Sequence, residues 1–187
     1  MKTLSAVLEE SFALLAEGAA DPHSPWRHPA LATVAPDGRP GVRTLVLRRF
    51  DPAARCVDLH TDGRSPKMAT LAANPRAALH GWDCGRRIQL RLDGAIALAD
   101  AAATARAWDA LHAGSRATYA AALAPGTPIA DPGAVPAPRD ERAARADFRV
   151  LALRFDAMEY LSLARQDHRR ARFDWKGEDC QATWLVP

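Results

Sequence analysis

Apolar and polar positions alternate along this chain with two different periods. Residues 1–20 place acids every few positions among apolar ones, which predicts an amphipathic helix. A Pro-broken loop follows at 21–29, and 30–50 reads as two strands around the turn Pro36-Asp37-Gly38. In the second of these strands Arg43, Leu45, Leu47 and Arg49 share one face, and Val42, Thr44, Val46 and Arg48 share the other. A third strand fits 56–61. The segment 65–75 is a short helix, with Ser65 as N-cap, Pro66 at the first helical position and Asn74-Pro75 as the stop. A fourth strand fits 76–82. In 86–98 the residues Ile88, Leu90 and Leu92 alternate with Gln89, Arg91 and Asp93, the pattern of a half-buried strand. Asp100 caps a helical run at 101–112, a second helix fits 115–124, and 124–141 is a surface loop rich in Pro and Gly. Strands resume at 147–156 and 158–164. A polar stretch occupies 165–175, and 180–187 is a last strand. Short strands joined by tight turns, with helices set between them, predict the α+β class and an antiparallel sheet closed into a barrel. A single domain over residues 1–187 is expected.

Composition narrows the function classes. Nearly half of the 187 residues are apolar, enough for a core without staples. The 25 Lys and Arg against 22 Asp and Glu leave a net charge of only +3, which does not call for a polyanionic partner. The basic run at 165–175, with Phe173 and Trp175 as stacking platforms, would suit single-stranded nucleic acid, but the balance elsewhere argues against that reading. Cys56, Cys84 and Cys180 are scattered and odd in number, so neither a disulfide framework nor a structural zinc site is expected. His80 and Cys84 have a metal-compatible spacing with no second pair beside them. The N-terminal segment reads as neither signal peptide nor membrane span, and a reducing, cytoplasmic setting is the expectation.

The stretch Leu59-His-Thr-Asp-Gly-Arg-Ser-Pro-Lys67 concentrates hydrogen-bond donors beside a helix start. Backbone N–H groups there, with the hydroxyls of Thr61 and Ser65 and the charges of Arg64 and Lys67, suit a phosphate monoester. A capped surface helix with a solvated charge cluster is the other reading. Arg43 shares a face with Leu45 and Leu47, where an unpaired charge is costly, so it calls for an anionic ligand or an exposed strand end. Gln89 either meets a planar heterocycle or faces water. His168, Arg169, Arg170 and Arg172 form the densest basic run.

Taken together, an Arg-led strand, a strand running into T-x-x-x-S-x-K and a Gln-bearing strand resemble the pyridoxamine-phosphate oxidase-like family of flavin proteins. The match runs over about residues 29–98 and more weakly near the C-terminus. The resemblance implies a split β-barrel with peripheral helices that forms a homodimer, with FMN bound at the subunit interface. It implies that Arg43, Ser65 and Lys67 hold the FMN phosphate, that Thr44, Leu45 and Val46 line the flavin with their backbone, and that His60 and Thr61 contact it. Gln89 would reach the flavin of the other subunit, and Arg172 would complete its site. Oxidation of a small-molecule substrate by the flavin is the activity implied, with Arg48, Arg116, His168 and Arg170 orienting the substrate and no protein acid or base assigned. A carrier or sensor of flavin, deazaflavin or haem on the same barrel is the alternative. The departures lie on the substrate side. Pro66 stands where the family has an Arg between Ser and Lys, the run 168–172 replaces the R-L-H-D-R signature, and Leu161 falls where a Trp is expected.

Overall fold

The computed structural model describes residues 2–165 and 167–187; Gln166, inside the polar stretch, lies outside them. Helix α1 (Leu4–Ala20) leads into β1 (Ala30–Val34), β2 (Pro40–Thr44), β3 (Leu47–Asp51) and β4 (Cys56–Asp62). After α2 (Lys67–Ala73) come β5 (Arg76–Asp83) and β6 (Ile88–Leu98), then α3 (Ala101–Asp109), α4 (Ala113–Ala117) and α5 (Glu141–Asp147). Three strands close the chain: β7 (Phe148–Ala164), β8 (Asp167–Lys176) and β9 (Asp179–Leu185).

All pairings among the described residues are antiparallel, in the order β2-β1-β5-β6-β7-β4-β3, with β8 and β9 continuing from β7. The two ends of that path, β2 and β3, are consecutive in the chain. The residues read as one strand therefore break at Leu45–Val46: β2 pairs with β1 while β3 pairs with β4. The sheet curls into a barrel whose hydrogen bonding does not close, which corrects the expectation of closure. A split antiparallel β-barrel of the α+β class results.

Strand alternation sets the core. Leu90 and Leu92 of β6, Leu151 and Leu153 of β7, and Val57 and Leu59 of β4 face inward and are essentially buried. Helix α1, N-capped by Thr3, lays Val7, Leu14 and Leu15 on one end of the barrel, with Phe12 edge-on to Phe50 of β3 at 5.3 Å. A second cluster, Trp108, Leu111, Ala144, Phe148 and Val150, joins α3 and α5 to the start of β7. The bulge at Asp93/Gly94 bends β6 around the barrel. Gly94 is required there, because a Cβ would lie 2.2 Å from the Arg154 carbonyl oxygen.

Four further expectations change. The two strands read at 147–164 are one 17-residue strand. Most of the stretch 165–175 is β8, in which Ala171 and Phe173 are buried between the charged residues Arg170, Arg172 and Asp174. The helix read at 115–124 is only the five-residue α4. Helix α5 was not expected, since seven residues alternating Ala with charges give no clear apolar stripe.

Candidate functional site

Strand β4 ends at Asp62, and a four-residue turn carries the chain into α2. The turn folds Lys67 back over the strand it has just left. Lys67 Nζ donates to Thr61 Oγ1 at 2.9 Å and to Ser65 Oγ at 2.7 Å. Ser65 is therefore not the helix cap: Pro66 holds that position, and no side chain caps α2. The Ser65 hydroxyl serves the lysine instead, which corrects the local reading of this serine.

Across the split, β2 supplies Arg43. Its Nη1 donates to Thr33 Oγ1 at 2.8 Å and to the Leu31 carbonyl at 3.2 Å, both on inward-facing positions of β1. Burial holds the Arg43 guanidinium below its ordinary pKa. Lys67 is lowered as well, by burial first and then by the charge of Arg43, with Asp62 opposing. Two half-buried cations thus lie near enough for one to lower the pKa of the other. Among the described residues their hydrogen bonds go only to hydroxyls and a carbonyl, with no carboxylate between them. An anion with several acceptor oxygens is the chemical complement of this arrangement. Thr33, which aims Arg43, escaped the sequence reading; its signal is a polar residue at an inward position of a short strand.

Beside this clamp lies an aromatic and cationic wall. His60, one residue before Thr61, meets Phe148 edge-on at 4.8 Å, and Phe148 meets Tyr119 at 5.0 Å and Trp108 at 5.4 Å. Burial, then the charges of Arg48 and Arg27, push the His60 imidazole down to about 4, so it is neutral near pH 7. His60 Nδ1 and Arg48 Nε are both buried with no hydrogen-bond partner among the described residues. Leu45 and Val46 are half-buried at the strand break, and Thr44 is exposed beside them.

The remaining expected residues lie elsewhere. Gln89 sits between the buried Ile88 and Leu90 and so points to the outer face of β6, where its strand partners are Trp82 and Leu161. Arg172 is held by Asp174 at 2.7 Å and lines an open groove of about 460 Å³ with Ala32, Pro40, Arg76 and Asp93. Arg170 pairs with the buried Glu159 at 2.7 Å, and His168 is exposed. Arg116 donates to Glu141 and to the Asp109 carbonyl, both at 2.9 Å, and stacks over Trp108. The structure brings Arg43, Thr61, Ser65 and Lys67 together, with His60 and Arg48 adjoining. It leaves Gln89, Arg170 and Arg172 on strands across the sheet.

An antiparallel barrel left open between two consecutive strands, with two cations near the opening that hydrogen-bond to no carboxylate among the described residues, defines the class of split-barrel proteins. Residues 9–100 match the family described as "Pyridoxamine 5'-phosphate oxidase, FMN-binding domain". Pyridoxine/pyridoxamine 5'-phosphate oxidases of Rhodopseudomonas palustris and Microcystis aeruginosa are 42% identical over 94 residues and 41% over 66 residues. Those stretches are 47% and 35% of this chain, but only 42% and 30% of the two relatives. A pyridoxamine 5'-phosphate oxidase-related, FMN-binding protein from Nostoc punctiforme superposes over the full length of both chains with a TM-score of 0.81 and 26% identity. PhzG from Burkholderia lata, solved with tetrahydrophenazine-1-carboxylic acid, shares the fold at a TM-score of 0.72 and 20% identity, over 98% of this chain and 90% of its own. Residues 9–100 thus match this family's FMN-binding domain, and the whole chain has the fold of the pyridoxamine 5'-phosphate oxidase-like split barrels.

Proposed function

We propose that this chain binds FMN through the Arg43–Lys67 clamp and acts, as a cytoplasmic homodimer, as an FMN-dependent oxidoreductase on a small-molecule substrate. The observation that carries the reading is the pair of cations, lowered in pKa, braced by the hydroxyls of Thr33, Thr61 and Ser65 and hydrogen-bonded to no carboxylate among the described residues. A phosphate monoester would accept from both cations and relieve the repulsion between them. When bound, FMN supplies the redox chemistry. The chain's part is to hold the phosphate, to present His60 and the Leu45–Val46 backbone beside the ring, and to exclude water with Phe148 and Tyr119. Gln89 and Arg172, on the other side of the sheet, support a site finished by a second copy. The three free cysteines suit a reducing compartment.

A flavin-binding role without turnover is the second reading. It is favoured by the partners that already engage two of the expected substrate residues, Glu141 on Arg116 and Glu159 on Arg170. Steady-state oxidation of pyridoxamine phosphate with peroxide release separates the two readings.

The cofactor itself is tested by titrating the protein with FMN and with riboflavin, which lacks the phosphate. FMN at a hundred times its dissociation constant should add about 2.7 kcal/mol of stability. Lys67→Ala should weaken FMN by roughly 10- to 100-fold, the equivalent of about 1.5–3 kcal/mol for a charged hydrogen bond, and leave riboflavin unchanged. A protein that FMN does not stabilise, or an equal loss for both ligands, overturns the phosphate clamp.

A further inference from the structure

The turn that carries Ser65 has a second side, which the clamp does not use. Arg64 points away from Lys67 and forms a tight pair with the buried Asp62, Nη2 to Oδ2 at 2.6 Å and Nε to Oδ1 at 3.1 Å. Its Nε also lies 3.1 Å from Asp147 Oδ2, at the end of α5, and Arg139 Nη2 approaches the same oxygen at 2.7 Å. The two guanidiniums then seize one segment of backbone. Arg64 donates to the carbonyls of Ala121 (3.1 Å) and Ala122 (3.4 Å), and Arg139 donates to those of Ala121 (3.1 Å) and Tyr119 (3.3 Å). The amide of Arg139 closes the set on the Ala120 carbonyl at 2.7 Å. Gly63 N donates to the Asp147 carbonyl at 2.7 Å, which ties the turn to the end of α5.

The held segment is a strap, residues 118–140, most of which is exposed. One end brings Tyr119 onto Phe148, beside His60. Further along, Gly126 lies over Pro66, where a Cβ would make an ordinary 3.6 Å contact with the proline ring. Tyr119 and Ala120 anchor the first end on the Trp108 cluster; beyond them the segment is mostly exposed, and the two arginines are its main polar ties to the barrel. A single turn therefore carries the clamp hydroxyl on one side and the strap fastener on the other.

We propose that Arg64 is a positioning residue which, with Asp147 and Arg139, couples occupancy of the Lys67 clamp to closure of the 118–140 strap over the His60 side of the cleft. Binding that fixes the Asp62–Ser65 turn fixes the Arg64 donors, and a closed strap in return holds the turn in its binding geometry. Coupling of this kind is reciprocal, so the strap must affect ligand affinity as much as the ligand affects the strap. The inference rests on the reading that the clamp takes the FMN phosphate.

The test measures FMN affinity and amide hydrogen exchange of peptides covering 115–140, with and without saturating FMN. In the unaltered protein FMN should slow exchange of the strap. Arg64→Ala should speed strap exchange without ligand, abolish its response to FMN, and weaken FMN by about five- to ten-fold, in the range of ordinary coupling. Arg139→Ala leaves the Asp62 turn intact and should produce the same loss of response, which covers the case of a misfolded Arg64 variant. Arg64→Lys, which cannot span three partners, should not rescue it. Strap protection by FMN that persists in both alanine variants, or faster exchange at unchanged FMN affinity, overturns the coupling alone. Failure of the unaltered protein to bind FMN overturns the phosphate reading beneath it.

Discussion

Acidification should unfold this protein partly through one side chain, His60. The imidazole lies against Phe148, its Nδ1 has no hydrogen-bond partner among the described residues, and Arg48 and Arg27 place positive charge nearby. Its pKa falls from 6.5 to about 4, with burial the first cause and the two arginines following. Between those values the unfolded chain binds a proton that the folded chain refuses, so stability falls as pH drops through that window and levels off below it. At 1.36 kcal/mol per pKa unit the ceiling is about 3 kcal/mol. Because the ring is only half-buried, solvent screening brings the expectation to about 1–2 kcal/mol. The partner for the measurement is His60→Phe, which keeps an aromatic edge against Phe148 and removes the titration. Urea unfolding of both proteins at pH 7.5, 6.0, 5.0 and 4.5 gives two stability curves in which the carboxylate contributions are shared. The unaltered protein should lose about 1–2 kcal/mol more than the variant over that range. Nuclear magnetic resonance titration of the His60 ring supplies a direct check, and Arg48→Gln should raise its pKa. Parallel stability curves, or a ring that titrates at 6.5, would refute the reasoning.

Two structural features outside the cleft are equally exposed to test. Gly94→Ala places a methyl against the Arg154 carbonyl at the bulge of β6, where backbone on both strands must shift, and about 2–3 kcal/mol should be lost in the urea midpoint. A loss below 0.5 kcal/mol, roughly the scatter of surface substitutions, would show that the bulge can open. Glu159→Gln removes the carboxylate that Arg170 and Arg91 share at 2.7 and 3.3 Å. Both guanidiniums keep access to water, so the cost should be about 1–3 kcal/mol, below that of a fully buried broken pair. An unchanged midpoint would make Glu159 a bystander of the two arginines.

The fold was legible where strands alternate cleanly and turns carry their own chemistry. The Pro36-Asp37-Gly38 hairpin and the Ile88–Leu92 alternation fall within β1–β2 and β6 as read. The errors share a physical cause, in that tertiary pairing overrode the local pattern. Residues 42–50 contain no Gly, Pro, Asn or Asp to mark a break, and only the pairing of their two halves with different neighbours divides them into β2 and β3. In β8, Arg170, Arg172 and Asp174 flank Ala171 and Phe173, so a strand with its core face intact read as a polar run. The single residue Ala157, buried in mid-strand, was read as a break between two strands when it belongs to one.

The site shows the same division, for a reason particular to charge. Thr61, Ser65 and Lys67 lie within seven residues, and their spacing alone lets the lysine fold back onto both hydroxyls. Arg43 was suspect because it shares a face with leucines, yet a local pattern cannot distinguish a cation paired with a carboxylate from one left waiting for a ligand. That distinction belongs to the neighbours, and Arg64 supplies the contrast. It stands three residues from Lys67 and looked like part of the same basic cluster. In the fold its charge is met by Asp62 and Asp147 and its donors are spent on the strap, whereas among the described residues Lys67 and Arg43 hydrogen-bond to hydroxyls and a carbonyl and to no carboxylate. Arg116 and Arg170 are likewise already engaged, by Glu141 and Glu159. What separates a binding cation from a structural one here is the anion the chain itself brings up through tertiary contact. By that criterion Arg43 and Lys67 suit the phosphate proposed above, and two of the four expected substrate residues have partners of their own.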